Sequence, residues 1–407
     1  MSSQVSRLVV VGASLAGLRA VEAARKSGYA GALTLIGAEE HLPYDRPPLS
    51  KAYLDTDLSP DVTLRDERYL REELEVDLLL GARAESLDTA AHQVVAGGRA
   101  IEYDSLVIAT GSAPRMIPGV EGIDGIHALR TIDDARAVRA AWDGGARTLV
   151  VGAGFIGSEI ASGARKRGLP VTIVEGAHVP LARAVGVQMG AALAGLHHRA
   201  GTDLRCGVTV ERFETDEHNH IHRVHLSDGT VIDADLVVVG IGAVPATDWL
   251  TGSGLDLHNG VRCDATLAAV GAKSVYAAGD VARWENTLFD EVMRVEHWSA
   301  AAEQGAVAAR HALAPDTAKP FETVPYFWSD WYEHRIQFAG VADADEISVV
   351  SGSPDGNAFT ALYRRGDRVG AVLTLNGQAV VMKYRALIAR GASWDEALAF
   401  RPGRPRS

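Results

Sequence analysis

The sequence predicts an α/β fold in which two βαβ domains are followed by a smaller α+β domain. Three observations predict it. Two Gly-rich turns of one type, Gly12-Ala13-Ser14-Leu15-Ala16-Gly17 and Gly152-Ala153-Gly154-Phe155-Ile156-Gly157, follow the apolar runs 8–11 and 149–151. Each turn leads into an Ala-rich, Arg-bearing stretch of helical period that closes at a Gly, and then into a second apolar strand. From about residue 321 the composition changes: Tyr326, Phe327, Trp328, Trp331 and Tyr332 cluster, and short alternating stretches at 359–363 and 369–373 suggest antiparallel strands.

Each glycine of such a turn has its own reason. The first permits the tight passage from strand to helix. The second lets the backbone approach a pyrophosphate at the helix N-terminus, where unpaired N–H groups and the helix dipole favour anions. The third lets helix and strand pack closely. One such turn is a weak signal; two in the same strand–turn–helix–strand context are a strong one. They imply two Rossmann-like dinucleotide-binding domains, and two dinucleotides in one chain imply a flavin that takes a hydride from a nicotinamide. Ser14 stands at the middle glycine position of the first turn. It is small, and its hydroxyl can bond a phosphate.

Residues 33–36 read as the second strand of the first unit, after which Glu39 or Glu40 offers a carboxylate to a ribose hydroxyl. Residues 104–108 form a buried strand that ends at Ala109-Thr110-Gly111, and Pro114 and Pro118-Gly119 mark a crossing into the next domain. The second unit occupies residues near 147–175. Its second strand, 171–174, ends directly on Glu175. A carboxylate there accepts from adenosine ribose hydroxyls and repels a 2′-phosphate, which predicts NADH rather than NADPH. Strand signals recur at 234–242, ending at Gly242, and at 275–278 before Gly279-Asp280. A helix over 384–390 closes the third domain, and the tail Arg401-Pro402-Gly403-Arg404-Pro405-Arg406-Ser407 is expected to fray.

The bulk properties exclude several classes. The chain has 407 residues, 47% hydrophobic and 23% charged, which suits two or three ordinary globular domains. No apolar run approaches the roughly 20 residues of a membrane span. The residues before the first strand leave no room for a signal peptide, so a cytoplasmic location is expected. Cys206 and Cys263 are far apart, in no C-x-x-C spacing, and read as packing residues. A net charge of −12 argues against nucleic-acid binding and asks for a local basic patch wherever an acidic protein docks. His197-His198 and the run Glu217-His218-Asn219-His220-Ile221-His222 read as surface positions, and no metal site is expected.

These residues resemble the flavin-dependent ferredoxin reductases of the oxygenase-coupled class, which share the glutathione reductase fold. The resemblance covers essentially the whole chain. Its most specific element is His41-Leu42-Pro43-Tyr44-Asp45-Arg46-Pro47-Pro48-Leu49-Ser50-Lys51. Disulfide reductases carry reactive cysteines in the corresponding segment; here there are none. The resemblance therefore implies FAD and NADH as cofactors, and a small iron–sulfur ferredoxin as acceptor, which serves a monooxygenase or dioxygenase. It implies Lys51 and Glu159 as the catalytic pair beside the flavin. It implies flavin contacts at Gly12, Ser14, Ala16, Gly17, Glu39, Arg46, Arg83, Ala109, Thr110, Gly111, Arg130, Gly279, Asp280, Val281, Glu296, His297, Trp298 and Trp328. For the nicotinamide dinucleotide it implies Gly152, Gly154, Phe155, Ile156, Gly157, Glu175, Arg183 and Gly242. The FAD-binding domain is expected at 1–113 and 245–320, the NAD-binding domain at 114–244 and the C-terminal domain at 321–407. Ser14 and Ala38 depart from the pattern, both on the adenosine side of the flavin. Two other readings of the same fold are an NADH oxidase and an NADH-sensing flavoprotein. The absence of cysteine in 41–51 opposes a disulfide-type enzyme, and the absence of a basic nucleic-acid patch opposes a signalling role.

Overall fold

A computed structural model describes residues 5–55 and 60–400. The expectations for the first four residues and for the tail 401–407 lie outside the described residues. The contacts group the chain into two units. One comprises the chain up to Asp45, Asp61–Ala113 and Val244–Pro325. The other comprises the segment starting at Arg46, Pro114–Ala243 and the chain from Tyr326 onward.

The first unit is built on a parallel sheet in the order Val275–Ala277, Ser105–Ile108, Arg7–Val11, Ala32–Ile36, Val76–Leu79. The central strands read as unbroken apolar runs because both faces are covered, as parallel sheets require. Val10, Leu35, Leu106, Val107 and Ile108 are fully buried. The helix Leu15–Lys26 starts within the Gly-rich turn and packs against the helix Trp298–Leu313. A small antiparallel sheet, Ala84–Asp88, Gln93–Ala96 and Arg99–Glu102, belongs to the same unit.

The second unit repeats the plan. Its parallel sheet runs Asp203–Cys206, Val171–Glu175, Thr148–Val151, Leu236–Val239, Ile126–His127. The helix Phe155–Lys166 follows the second Gly-rich turn. The C-terminal part is a five-stranded antiparallel sheet in the order Tyr326–Trp331, His334–Gly340, Arg368–Leu375, Phe359–Arg365, Glu346–Gly352.

Strand alternation explains how that sheet is held. Phe359, Ala361 and Tyr363, with Ala371, Leu373 and Leu375, lie at every second position and so share a face. That face forms one core with Val185, Met189, Leu193 and Leu196, the last three on the helix Val187–Arg199. Tyr363 also donates its hydroxyl to the Val185 carbonyl at 2.6 Å. The closing helix is longer than its sequence signal, Gln378–Ala389, and a short helix Trp394–Ala399 follows it.

Candidate functional site

In the first unit three sequence motifs converge on the N-terminus of one helix. Gly12 has φ +117°, and a Cβ there would fall 2.1 Å from the Ala109 carbonyl oxygen. A Cβ on Gly17 would fall 1.8 Å from the Gly12 oxygen. Both positions therefore exclude a side chain, the first also by its left-handed backbone. Gly279 sits against Ala16, a Cβ there lying 3.2 Å from the Ala16 Cβ. Its N–H donates to Gln304 Oε1 at 2.8 Å, which ties the turn Gly279–Val281 to the helix Trp298–Leu313. Asp280 accepts from the Ser112 hydroxyl at 2.9 Å, and Thr110 donates its hydroxyl to the Ala246 carbonyl at 2.9 Å.

The flanking residues of this unit have distinct environments. Glu39 accepts from the Tyr44 hydroxyl at 2.5 Å, whereas Glu40 is exposed. Trp298 donates its indole N–H to Asp45 at 2.6 Å. Burial pushes the His297 imidazole down to about 4, so it is neutral near pH 7. Glu296 pairs with Arg294 at 2.8 Å, and Arg83 is exposed.

The second unit carries the matching turn. Gly152 has φ +102°, and its Cβ would fall 2.4 Å from the Gly240 oxygen; that of Gly157 would fall 2.1 Å from the Gly152 oxygen. Gly154 differs, because its Cβ would meet only the Gly240 oxygen, at an ordinary 3.6 Å. The protein therefore has room for a side chain there. Ser14 makes no side-chain cap to its helix and Gly154 has no side chain to make one; a helix N-terminus of this kind offers its first-turn N–H groups to an anion. Glu175 is anchored rather than loose: Oε2 accepts from Ala153 N–H and Oε1 from Ala177 N–H, both at 2.8 Å. Each oxygen keeps lone-pair capacity for a ribose hydroxyl. These features fit two pyrophosphate-bearing dinucleotides, one per unit.

Gly242 has φ +106° and accepts from Arg115 N–H at 2.9 Å through its carbonyl. Ile156 is 44% exposed, an unusual place for a large apolar residue, while Phe155 stacks on Phe327 with centroids 4.5 Å apart. Arg183 is exposed on the short helix Ala182–Val185.

Still within this unit, Lys51 Nζ lies 2.8 Å from Glu159 Oε2, and Glu159 is 4% exposed. Ser50 and Ser329 also donate to that carboxylate. Sequence reading paired Lys51 with Glu159 through the resemblance but missed both serines, which no local pattern distinguishes. Arg46 donates to the Arg130 carbonyl. Trp328 is half-buried, stacked at 6.0 Å on Tyr326 with the Arg335 guanidinium 5.7 Å from its ring. Trp331 is fully buried, a core residue.

Two residues expected at the surface are buried: Ile221, which joins Val224 and Leu226 of its strand in the core, and His197. His197 is fully buried, its ring bonded to the Tyr332 hydroxyl at 2.7 Å and to the Ser158 hydroxyl at 3.2 Å. It follows an apolar helix face, Met189, Leu193, Leu196, whose period carries it inward. Burial pushes it down to about 4.

Residues 6–305 match the pyridine nucleotide-disulphide oxidoreductase family, and residues 326–404 match the reductase C-terminal family. The chain belongs to the pyridine nucleotide-disulphide oxidoreductases. Among curated relatives it is 34% identical to rhodocoxin reductase of Rhodococcus erythropolis over 388 residues, 94% of this chain and 89% of that protein. It is 35% identical to the anthranilate 1,2-dioxygenase system ferredoxin–NAD(+) reductase component of Burkholderia cepacia, over 95% of each chain. Among solved structures, the reductase of the covalent putidaredoxin reductase–putidaredoxin complex superposes with a TM-score of 0.90 at 32% identity, covering 97% of this chain and 95% of that one. This member of the family is an α/β oxidoreductase with Rossmann-like cores and a C-terminal antiparallel domain. Among the described residues, no helix is long and apolar enough to cross a membrane, and no group of His, Cys, Asp or Glu is arranged to hold a metal ion.

Proposed function

We propose that this protein is an NADH-dependent flavoprotein reductase that passes electrons from NADH through FAD to a ferredoxin serving a monooxygenase or dioxygenase. One joint observation carries the reading: two dinucleotide turns in one chain, and no cysteine in the segment 41–51. The two cysteines present do not substitute for a reactive pair. Burial raises both thiols, Cys263 to about 12, and a protonated thiol is a poor nucleophile. Similarity over nearly the full length to reductases named for ferredoxin systems supports a one-electron acceptor.

Bound FAD supplies the chemistry, accepting a hydride from NADH and releasing electrons singly. The chain's own residues bind, orient and shield. The helix Leu15–Lys26 receives the FAD pyrophosphate at its N-terminus, and Asp280 accepts from ribityl hydroxyls. The helix Phe155–Lys166 receives the NADH pyrophosphate, and Glu175 holds the adenosine ribose. The Lys51 ammonium, balanced by Glu159, offers positive charge to the reduced ring, and Trp328 supplies an apolar wall that excludes water. Arg46, Arg83, Arg130, Glu296, His297 and Trp298 complete the flavin contacts, and Arg183 and Gly242 those of NADH. The FAD-binding domain comprises 1–113 and 245–320, the NAD-binding domain 114–244 and the C-terminal domain 321–407. The cytoplasm, where NADH and reduced ferredoxins coexist, is the location this activity suits.

The test is anaerobic reduction by NADH followed by stopped-flow mixing with iron–sulfur ferredoxins. The purified protein is expected to be yellow, with one non-covalent FAD per chain, and to be reoxidised by a ferredoxin faster than by oxygen. Protein that takes up no FAD on reconstitution, or that oxygen always reoxidises faster, rejects the assignment.

A further inference from the structure

Four donors converge on one buried carboxylate. Glu159 Oε2 accepts from Lys51 Nζ at 2.8 Å and from the Ser50 hydroxyl, and Oε1 accepts from the Ser329 hydroxyl and from Asp330 N–H at 3.3 Å. A carboxylate offers about four lone-pair sites, so this one is saturated. The donors come from the segment after Arg46 and from the strand Tyr326–Trp331, while Glu159 stands on the helix that opens at the second Gly-rich turn.

The polarity of the links follows from donor chemistry. An indole N–H can only donate, and Trp331 Nε1 donates to Ser329 Oγ at 2.8 Å. The single hydroxyl proton of Ser329 therefore goes to Glu159. Ser50 also has one proton. The Pro47 carbonyl lies 3.5 Å from its Oγ, whereas the Glu159 carboxylate is much nearer and charged, so that proton goes to Glu159 as well.

We infer that Ser50 and Ser329 are positioning residues for Lys51: they share the charge of Glu159 and hold its carboxylate, so that the Lys51 ammonium remains available to the flavin. The inference rests on the proposed role of Lys51 as the cation serving the reduced ring. A buried carboxylate that loses one hydroxyl donor keeps its full charge and draws harder on the donors that remain. Lys51 is the only charged one among the four. It is then held more tightly by Glu159, and the positive field left for the reduced ring falls. NADH is held by other groups, the Gly-rich turn and Glu175, so its binding is largely untouched.

The experiment uses the FAD-loaded protein carrying Ser329→Ala or Ser50→Ala, each alone and combined with Lys51→Met. Two quantities are read: the flavin midpoint potential, and the rate of flavin reduction by NADH set against KM. Each serine variant is expected to lower the potential and to slow reduction about fivefold, with KM for NADH within about twofold of wild type. With Lys51→Met present, the serine substitutions should change neither quantity further. Wild-type potential and rate in both serine variants, alongside a clear Lys51→Met effect, would overturn the positioning role alone. A Lys51→Met protein indistinguishable from wild type would overturn the reading of Lys51 beneath it. A serine effect that persists undiminished without Lys51 would also overturn the inference, because the hydroxyls would then act on the fold and not through the lysine. The two serines lie in separate elements, so failure of one variant to fold leaves the other to decide.

Discussion

Strand register aligns the two Gly-rich units residue by residue. Val11 pairs with Ile36 and Ile108, as Val151 pairs with Val174 and Val239. Gly12 then matches Gly152, Gly17 matches Gly157, and Ala109 matches Gly240. At these positions the two units are nearly the same: positive φ at the first glycine, and a missing Cβ that leaves room for a carbonyl oxygen. Even the start of the third strand repeats. Asp104 accepts from Ser6 and Arg7, and Asp235 accepts from Arg147, each tying that strand to the beginning of the first. The units part at the middle of the turn and at the end of the second strand. Position 14 is Ser and its counterpart is Gly154. The place of Glu175 is taken by the buried Gly37, whose Cβ would fall 2.7 Å from the Ala13 Cβ. The first unit's carboxylate comes two residues later, on Glu39, held by Tyr44. Backbone constraints are thus shared because both turns pass from strand to helix in the same way, while the carboxylate that follows the second strand is free to differ in position and partner.

The shared backbone demand is most severe at the first glycines. Gly12→Ala and Gly152→Ala should each cost more than about 2 kcal/mol, because a side chain there combines left-handed backbone with a carbonyl clash. Thermal melting and FAD content measure the first, and NADH binding the second. Equal stability of both variants with wild type would show that the clashes relax freely.

Glu175 sharpens the difference in ribose recognition. Its carboxylate against a 2′-phosphate costs a few kcal/mol, so kcat/KM should favour NADH over NADPH by at least about a hundredfold. In Glu175→Ser that preference should shrink at least about tenfold. Comparable efficiency with both coenzymes in the wild-type protein would refute the assignment.

A smaller effect separates the middle positions. Gly154→Ser should fold with a stability change within about 0.5 kcal/mol, since the nearest protein atom to its Cβ is 3.6 Å away, yet it should raise KM for NADH. A lowered melting temperature with unaltered KM would mean that Gly154 serves the fold and not the ligand.

The smallest effect concerns the paired aspartates. Hydrogen bonds from Ser6 and Arg7 hold Asp104 at about 2, and Arg147 holds Asp235 at about 2, both below the ordinary value of 3.8. A lowered carboxyl contributes stability above its ordinary range and loses it as the pH falls through about 2. Both sites are partly exposed, so each of Asp104→Asn and Asp235→Asn should cost less than about 1 kcal/mol at pH 7. Each should also flatten the acid limb of the stability curve between about pH 4 and pH 2. An unchanged acid limb would show that neither carboxyl is coupled to folding.

The two βαβ units, their turns and the acid at the end of the strand Val171–Glu175 are legible without coordinates, because each is written in neighbouring residues. A glycine that needs positive φ, an apolar strand of one period and a helix of another are local demands on the chain. The strand Ala32–Ile36 was legible for the same reason. Tertiary structure alone decided which distant groups meet. It brought Ser50 and Ser329 onto Glu159, across sequence separations of 109 and 170 residues. It buried His197 between Ser158 and Tyr332, and it joined the C-terminal sheet to the helix Val187–Arg199. A serine hydroxyl has no periodic signature, since it suits a surface as well as a core, and although His197 lies on the apolar period of its helix, nothing local names the hydroxyls it meets. Their roles are set by the partner that burial supplies, and that partner lies in another part of the chain.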